Sequence, residues 1–348
     1  MTNNLAGLLA LQTAAAAVIG LTAVSPADAN TEEVATWRQR VAVWVALAPG
    51  QPASYLVRGE LYATDDELLP GTTVQLLIHG GIYNHDYGDL DRVDGVPYSY
   101  ALEVAARGFP MFALDLLGSA HSSHLSRNQL TIQATAYIVH QIVQGLRDGS
   151  ITGVEFGKVI TVSPSVGSAI VWQEAISYGD VDGVIMTGVT HSELAKNDGY
   201  QAVDNPKLVA SCLDAGYLTT VPGRRATIRV PFLAILVGSN GAPTSGPNRQ
   251  GTNLDCRSDA VVATLEAPFD SQWAWIHACV LPASGHEVSL AVNHKLQVET
   301  VVAWSSAFVG QYRFGERRDF DDLDKSANSL PPNDGLSWNC GTVSTESK

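Results

Sequence analysis

From Val74 onward the chain alternates short apolar runs with longer stretches of helical period, and that rhythm restricts the fold more than any other feature. Val74–Ile78, Phe109–Leu114, Val159–Val162 and Gly183–Met186 are too short for helices. Their near-continuous apolar character suits strands buried on both faces of a mainly parallel sheet. Between them, Tyr98–Arg107, Thr131–Arg147 and Gly167–Tyr178 read as helices. In the second of these, Ile132, Ala136, Val139, Val143 and Leu146 recur at helical spacing. Val230–Val237 and Trp275–Leu281 read as later strands and Leu290–Phe308 as a long closing helix, while Arg40–Ala48 and Ala53–Tyr62 alternate as an antiparallel hairpin. Strand and helix in alternation imply right-handed crossovers and a doubly wound α/β sheet.

The 348 residues contain no Gly/Ser or Pro-rich linker and no internal repeat, which favours one large domain. At 45% hydrophobic and 16% charged residues the chain can bury a sizeable core. Residues 190–228 break the rhythm with Pro206, Pro222 and Cys212 and read as a cap or lid, since insertions at the carboxyl ends of strands overhang the ligand crevice. The domain is expected over 30–311. Beyond it, residues 312–348 form a polar tail rich in acids (Glu316, Asp319, Asp321, Asp322, Asp324). The net charge of −14, with no basic stripe, excludes a nucleic-acid partner.

Leu5–Val24 is uncharged and apolar, and Ala27-Asp28-Ala29 fits a signal-peptidase site, so residues 1–29 are expected to be a leader and the product to be secreted. Gln12, Thr13 and the many alanines make the run a poor membrane anchor, and no stable insertion is expected. Four cysteines (Cys212, Cys256, Cys279, Cys340) allow two disulfides in an oxidising compartment, with three connectivities open. Their spacing matches no zinc pattern.

The chemistry centres on Ser163-Pro164-Ser165-Val166-Gly167, directly after the Val159–Val162 run. A sharp strand-to-helix turn exposes a serine hydroxyl for attack on a carbonyl. Its usual signature is Gly-x-Ser-x-Gly, with Ser163 here in place of the first glycine. Ser284-Gly285-His286 follows another apolar strand, in the order expected of nucleophile and then base. His79-Gly80-Gly81 closes the Val74–Ile78 strand. A Gly-rich turn there offers backbone N–H groups to a developing oxyanion, with the donors expected from Val166 and from Gly81 or Ile82. Tyr83, Trp172, Trp273 and Trp275 are aromatic candidates for a pocket wall, although aromatics at such positions are more often plain core.

Four segments in order carry a resemblance: His79-Gly80-Gly81-Ile82-Tyr83-Asn84-His85, Asp115-Leu116-Leu117-Gly118-Ser119-Ala120-His121-Ser122, Ser163–Gly167 and Gly285-His286. Together they resemble the α/β-hydrolase superfamily, and more closely the actinobacterial and fungal serine hydrolases with an His-Gly-x-x-Tyr-Asn-His loop, over roughly residues 40–310. The resemblance implies an α/β-hydrolase fold with a helical cap insertion, Ser165 as nucleophile and His286 as base. It also implies that Asp115–Ser122 is a structural turn, so that His121 and His124 are loop residues rather than ligands.

The family's third member, a carboxylate after the Phe232–Val237 strand, has no counterpart in Gly238-Ser239-Asn240-Gly241. Such a carboxylate fixes the tautomer of the imidazole and stabilises the imidazolium. Asp255 is the first acid after that strand and is the preferred substitute; Asn240 and Glu193 are the alternatives. A Ser at 165 argues against the carboxylate nucleophile of epoxide hydrolysis. No P-loop, dinucleotide fingerprint or His-Glu-x-x-His occurs, and no cofactor or metal is expected. Two functions follow: a carboxylesterase-like serine hydrolase acting on a small hydrophobic ester, lactone or thioester, or a ligand-binding protein, lyase or cyclase that has lost hydrolysis with the acid.

Overall fold

The computed structural model describes residues 16–23, 36–64, 68–81, 83–93, 96–125, 129–188, 232–238, 259–266, 275–281, 288–290 and 294–310. The expected cap over 190–228 and the tail over 312–348 lie outside them. The strands are β1 (Ala16–Ala23), β2 (Thr36–Val45), β3 (Tyr55–Thr64), β4 (Thr73–Ile78), β5 (Leu90–Val93), β6 (Val96–Tyr98), β7 (Met111–Asp115), β8 (Lys158–Pro164), β9 (Gly183–Thr187), β10 (Phe232–Gly238) and β11 (Trp275–Leu281). Among the described residues five α-helices join them: α1 (Tyr100–Ala105), α2 (Ile132–Arg147), α3 (Val166–Ser177), α4 (Asp259–Glu266) and α5 (His294–Trp304).

The main sheet has nine strands in the order β1-β2-β3-β7-β4-β8-β9-β10-β11, and β5 and β6 form a separate hairpin. β7, β4, β8, β9, β10 and β11 run parallel, whereas β3 joins β7 antiparallel and β2 joins β3 antiparallel. Burial explains the division. Every residue of β4, β7 and β9 is buried, which requires helices on both faces. α2 and α3 cover one face, where Ile138, Ile142, Ile170 and Val171 pack on Leu76, Ile78 and Phe112. α1 and α5 cover the other, where Val104, Val298 and Trp304 pack on Leu77, Ile160 and Val162. Successive residues of β4 thus serve opposite cores, as the period of 2 demands.

The chain leaves β4 for β7 on one side and later enters β8 on the other side of β4. The direction of winding therefore reverses between β4 and β8. In open α/β sheets the crevice at the carboxyl ends beside such a reversal is where ligands bind.

Several boundaries depart from the sequence reading. Tyr98 ends β6 rather than starting α1, because Ser99 caps that helix by accepting from the Leu102 N–H at 3.1 Å. The single closing helix expected over Leu290–Phe308 is instead a short 3-10 turn (Val288–Leu290), α5, and a π-helical turn over Ser305–Val309. That turn ends where the Gly310 N–H donates to the Ser305 carbonyl at 2.7 Å, with Gly310 at φ 76°. β1 falls inside the stretch expected to be a leader. It pairs antiparallel with β2 from Ala16↔Val43 to Ala23↔Trp37, so removal of residues 1–29 would leave β2 as the sheet edge. Among the described residues no helix is long and apolar enough to cross a membrane.

Candidate active site

β8 ends at Pro164 and α3 begins at Val166, leaving Ser165 as the sole residue of the turn. Its backbone takes φ 51° and ψ −121°, a region open to glycine and costly for a residue with a Cβ. The surroundings hold it there: the Ser165 N–H donates to the Thr187 carbonyl at 2.9 Å, and the Ser165 carbonyl accepts from the Ser168 N–H at 3.0 Å. The Ser165 hydroxyl does not cap the helix it precedes. It is lifted clear of the backbone at a helix N-terminus, where the unpaired N–H groups favour negative charge.

The departure from Gly-x-Ser-x-Gly also has a physical reason. A Cβ on Gly167 would lie 2.5 Å from the Ile78 carbonyl, 2.7 Å from the His79 carbonyl and 3.2 Å from the Ser163 Cβ. The turn thus packs Gly167 against the end of β4 and against Ser163, and one bare position on that line is enough. Ser163 keeps its side chain, fully buried, with its carbonyl accepting from the Ser168 hydroxyl at 2.7 Å. A half-buried serine on a strained strand-to-helix turn, at the carboxyl end of a mostly parallel sheet, has the geometry of a nucleophile elbow. The chain has the α/β-hydrolase fold.

No family model matches the sequence, and no curated protein matches it either. Among solved structures, an esterase of Thermogutta terrifontis is similar at 16% identity over 76% of this chain and 97% of its own, with a TM-score of 0.48. An esterase of Exiguobacterium antarcticum is similar at 14% identity over 73% and 96%, with a TM-score of 0.48. A laboratory-evolved potato epoxide hydrolase is similar at 15% identity over 72% and 96%, with a TM-score of 0.47. The fold follows from the strand order and the elbow, not from these overlaps.

The glycine turn of this hydrolase fold lies against the elbow: a Cβ on Gly80 would sit 3.6 Å from the Ser165 Cβ. His79 braces that turn. It is 1% exposed, and burial pulls its imidazole down to about 4, so it is neutral at physiological pH. Its Nε2 accepts from the Leu116 N–H at 3.1 Å, which places the proton on Nδ1, where it bonds the Gly80 carbonyl at 2.7 Å. A trans peptide points its N–H opposite its carbonyl, so the Gly81 N–H is directed away from His79.

The Asp115–Ser122 turn does more than follow a strand. Asp115, 2% exposed at the end of β7, accepts from the His85 backbone N–H at 2.9 Å and pairs with His85 Nδ1 at 2.7 Å. Burial opposes the charge on both partners, but the hydrogen bond and mutual attraction prevail, raising the His85 pKa and lowering that of Asp115. His85 Nε2 also lies 3.4 Å from Asp86 and 3.9 Å from Glu60. These carboxylates favour the charged form of the His85 ring over the neutral one relative to a free imidazole. His85 anchors the glycine turn from β4 to the turn from β7. Ser119 adds a contact to His79 Nε2 at 3.1 Å. No motif in the sequence pairs His85 with Asp115; an acid closing the strand beside the glycine turn is the available signal.

His121 and His124 are exposed loop residues, as expected: the His121 carbonyl accepts from Arg58 Nε, and His124 Nε2 sits 3.4 Å from the Ala120 carbonyl. Trp172 is core, 9% exposed on α3. Tyr83 is partly buried beside the Tyr87 ring at 5.2 Å. Ser165, Val166, Gly80 and Gly81 are therefore brought to the same end of two adjacent strands. Ile82, Glu193, Asn240, Asp255 and His286 lie outside the described residues, as does Trp273. Cys279 is buried in β11, and Cys212, Cys256 and Cys340 lie outside the described residues.

Proposed function

We propose that this protein is a serine hydrolase that cleaves a small hydrophobic ester, lactone or thioester through an acyl-enzyme. The observation that carries the reading is the backbone of Ser165, held at φ 51° with its hydroxyl unused by the helix. Strain of this kind persists where the surrounding structure over-determines it, and it clusters at functional sites. In the proposed cycle His286, five residues beyond the end of β11, takes the proton from Ser165 Oγ as it attacks the carbonyl carbon. The tetrahedral oxyanion is stabilised by the Val166 N–H and by that of Gly81 or Ile82. His286 then returns the proton to the leaving group, and water, activated by the same imidazole, releases the acid and frees Ser165. Asp255 orients the imidazole. We further propose export, loss of residues 1–29 and disulfides among the four cysteines, in line with the uncharged run before Ala27-Asp28-Ala29. Kinship with the actinobacterial and fungal enzymes rests on the His79–His85 loop.

The test is labelling by a fluorophosphonate alongside turnover of short p-nitrophenyl esters. Wild type should do both and Ser165→Ala neither. Asp255→Asn should lower kcat by about 10⁴ with little change in KM, by analogy with triad Asp→Asn changes. A silent Asp255→Asn with a damaging Asn240→Ala moves the orienting role to Asn240, and two silent variants move it to Glu193. A wild-type protein that neither reacts nor hydrolyses defeats the proposal and leaves the ligand-binding reading.

A further inference from the structure

On the face of the sheet covered by α2 and α3, three potential metal ligands converge away from the elbow. His140 comes from α2, Glu174 from α3, and Asp180 from the loop after α3. One ligand atom of each lies within 4.8 Å of those of the other two. Glu174 is fully buried, and both of its carboxylate oxygens lack a hydrogen-bond donor; Asp180 Oδ1 is buried and unpartnered too. The other Asp180 oxygen faces His140 Nδ1 at 2.7 Å and accepts from Gln144 Nε2 at 2.5 Å. The His140 ring is stacked on Tyr178 with centroids 4.1 Å apart and planes at 16°, which fixes its orientation. Arg147, the nearby cation, is committed elsewhere: it donates to the Asp180 main-chain carbonyl at 2.7 Å and to the Asp182 carboxylate at 2.5 Å.

Two carboxylates in such a place need a positive partner. A proton shared between Glu174 and Asp180 would join one oxygen of each and leave the second Glu174 oxygen without a donor. A divalent ion answers the carboxylate vacancies at once: both Glu174 oxygens and Asp180 Oδ1 are open to it, and His140 brings a ring nitrogen to the same place. We propose that His140, Glu174 and Asp180 form a binding site for a divalent transition-metal ion of the zinc type. An imidazole nitrogen with carboxylate oxygens suits zinc, whereas magnesium and calcium favour all-oxygen sets. Glu174 lies nine residues beyond Ser165, about 13 Å along the helix axis. The ion would tie α3 to α2 at the end remote from the elbow and take no part in ester cleavage.

The test uses the full chain, stripped with chelator, desalted, and titrated with zinc chloride while bound metal and thermal midpoint are measured. Wild type should retain about one zinc per chain and melt higher with it. His140→Ala and Glu174→Gln should bind more weakly by over tenfold, since even partners one shell further out cost about 10–100-fold. Glu174→Gln removes the buried charge and keeps the shape, so its metal-free form should melt at or above metal-free wild type, showing that lost binding is not lost folding. Equal zinc in wild type and both variants would place the ion elsewhere and overturn the proposal. So would a wild type that binds none and is stabilised only by acid, the mark of a shared proton.

Discussion

Ser165→Gly should abolish turnover and at the same time be better tolerated than Ser165→Ala. The reason is local. At φ 51° and ψ −121° the Ser165 Cβ is crowded by its own backbone, a cost of order 1–3 kcal/mol for a non-glycine residue. Alanine keeps the Cβ and the strain; glycine removes both. Against this relief stands the greater backbone entropy that glycine loses on folding, roughly 0.5–1 kcal/mol relative to alanine. The hydroxyl makes no capping bond and the residue is only half-buried, so little else changes between the two variants. The glycine variant should therefore exceed the alanine variant by about 1 kcal/mol, within limits of about 0 and 2.5. For a domain of this size 1 kcal/mol corresponds to a rise of about 2 °C. Urea unfolding of both variants under one set of conditions gives the difference directly, provided the slopes agree. A glycine variant less stable than alanine by about 1 kcal/mol would refute the claim that the elbow stores strain.

Acid should weaken the fold through His79: it is buried neutral with a pKa near 4, while the unfolded chain titrates at 6.5. Its contribution is complete above pH 6.5 and falls by about 3 kcal/mol as pH drops to 4. Urea midpoints for wild type and His79→Gln across that window test this, and an identical pH slope in the two would sink it. His85, with a raised pKa, works in the opposite sense, its stabilisation being complete below 6.5 and lost as pH climbs through its folded value. Export predicts a mature N-terminus at or near Asn30 by sequencing of secreted material, and a soluble cytosolic product retaining Met1 would contradict it.

The sheet was legible because its signal is local and repeated. β4, β7, β8 and β9 are short apolar runs bounded by turns, and burial on both faces leaves them no other composition. The β5–β6 hairpin carries too few residues to show a period, and α5 is buried through His294, Gln297 and Thr300 as well as Val298 and Val301, which blurs the apolar stripe that sets helix limits. The extent of β1 was hidden for a different reason. An uncharged Ala- and Val-rich stretch satisfies the requirements of a leader and of an edge strand alike, and only the pairing with β2 shows where the strand runs.

At the site, legibility tracks how far apart the partners lie in the chain. Ser165 and Gly167 were readable because the elbow makes its demands within five residues. Bracing of the glycine turn spans far more: His79 meets Leu116 and Ser119, and His85 meets Asp115. Those contacts join two motifs that the sequence presents separately, and they explain why both are needed. A Gly-rich turn offers donors to an oxyanion only if its backbone is fixed before the charge develops, and glycines cannot fix themselves. In this chain a neutral buried imidazole sets one end of the turn and the His85–Asp115 pair the other. The rigidity that the proposed oxyanion hole requires would thus be supplied from β7, the strand next to β4, while the serine is supplied from β8 on the opposite side. The proposed chemistry suits the reversal of winding because there, among the described residues, a glycine turn and a strained serine turn end adjacent parallel strands, with a third strand free to hold one of them still.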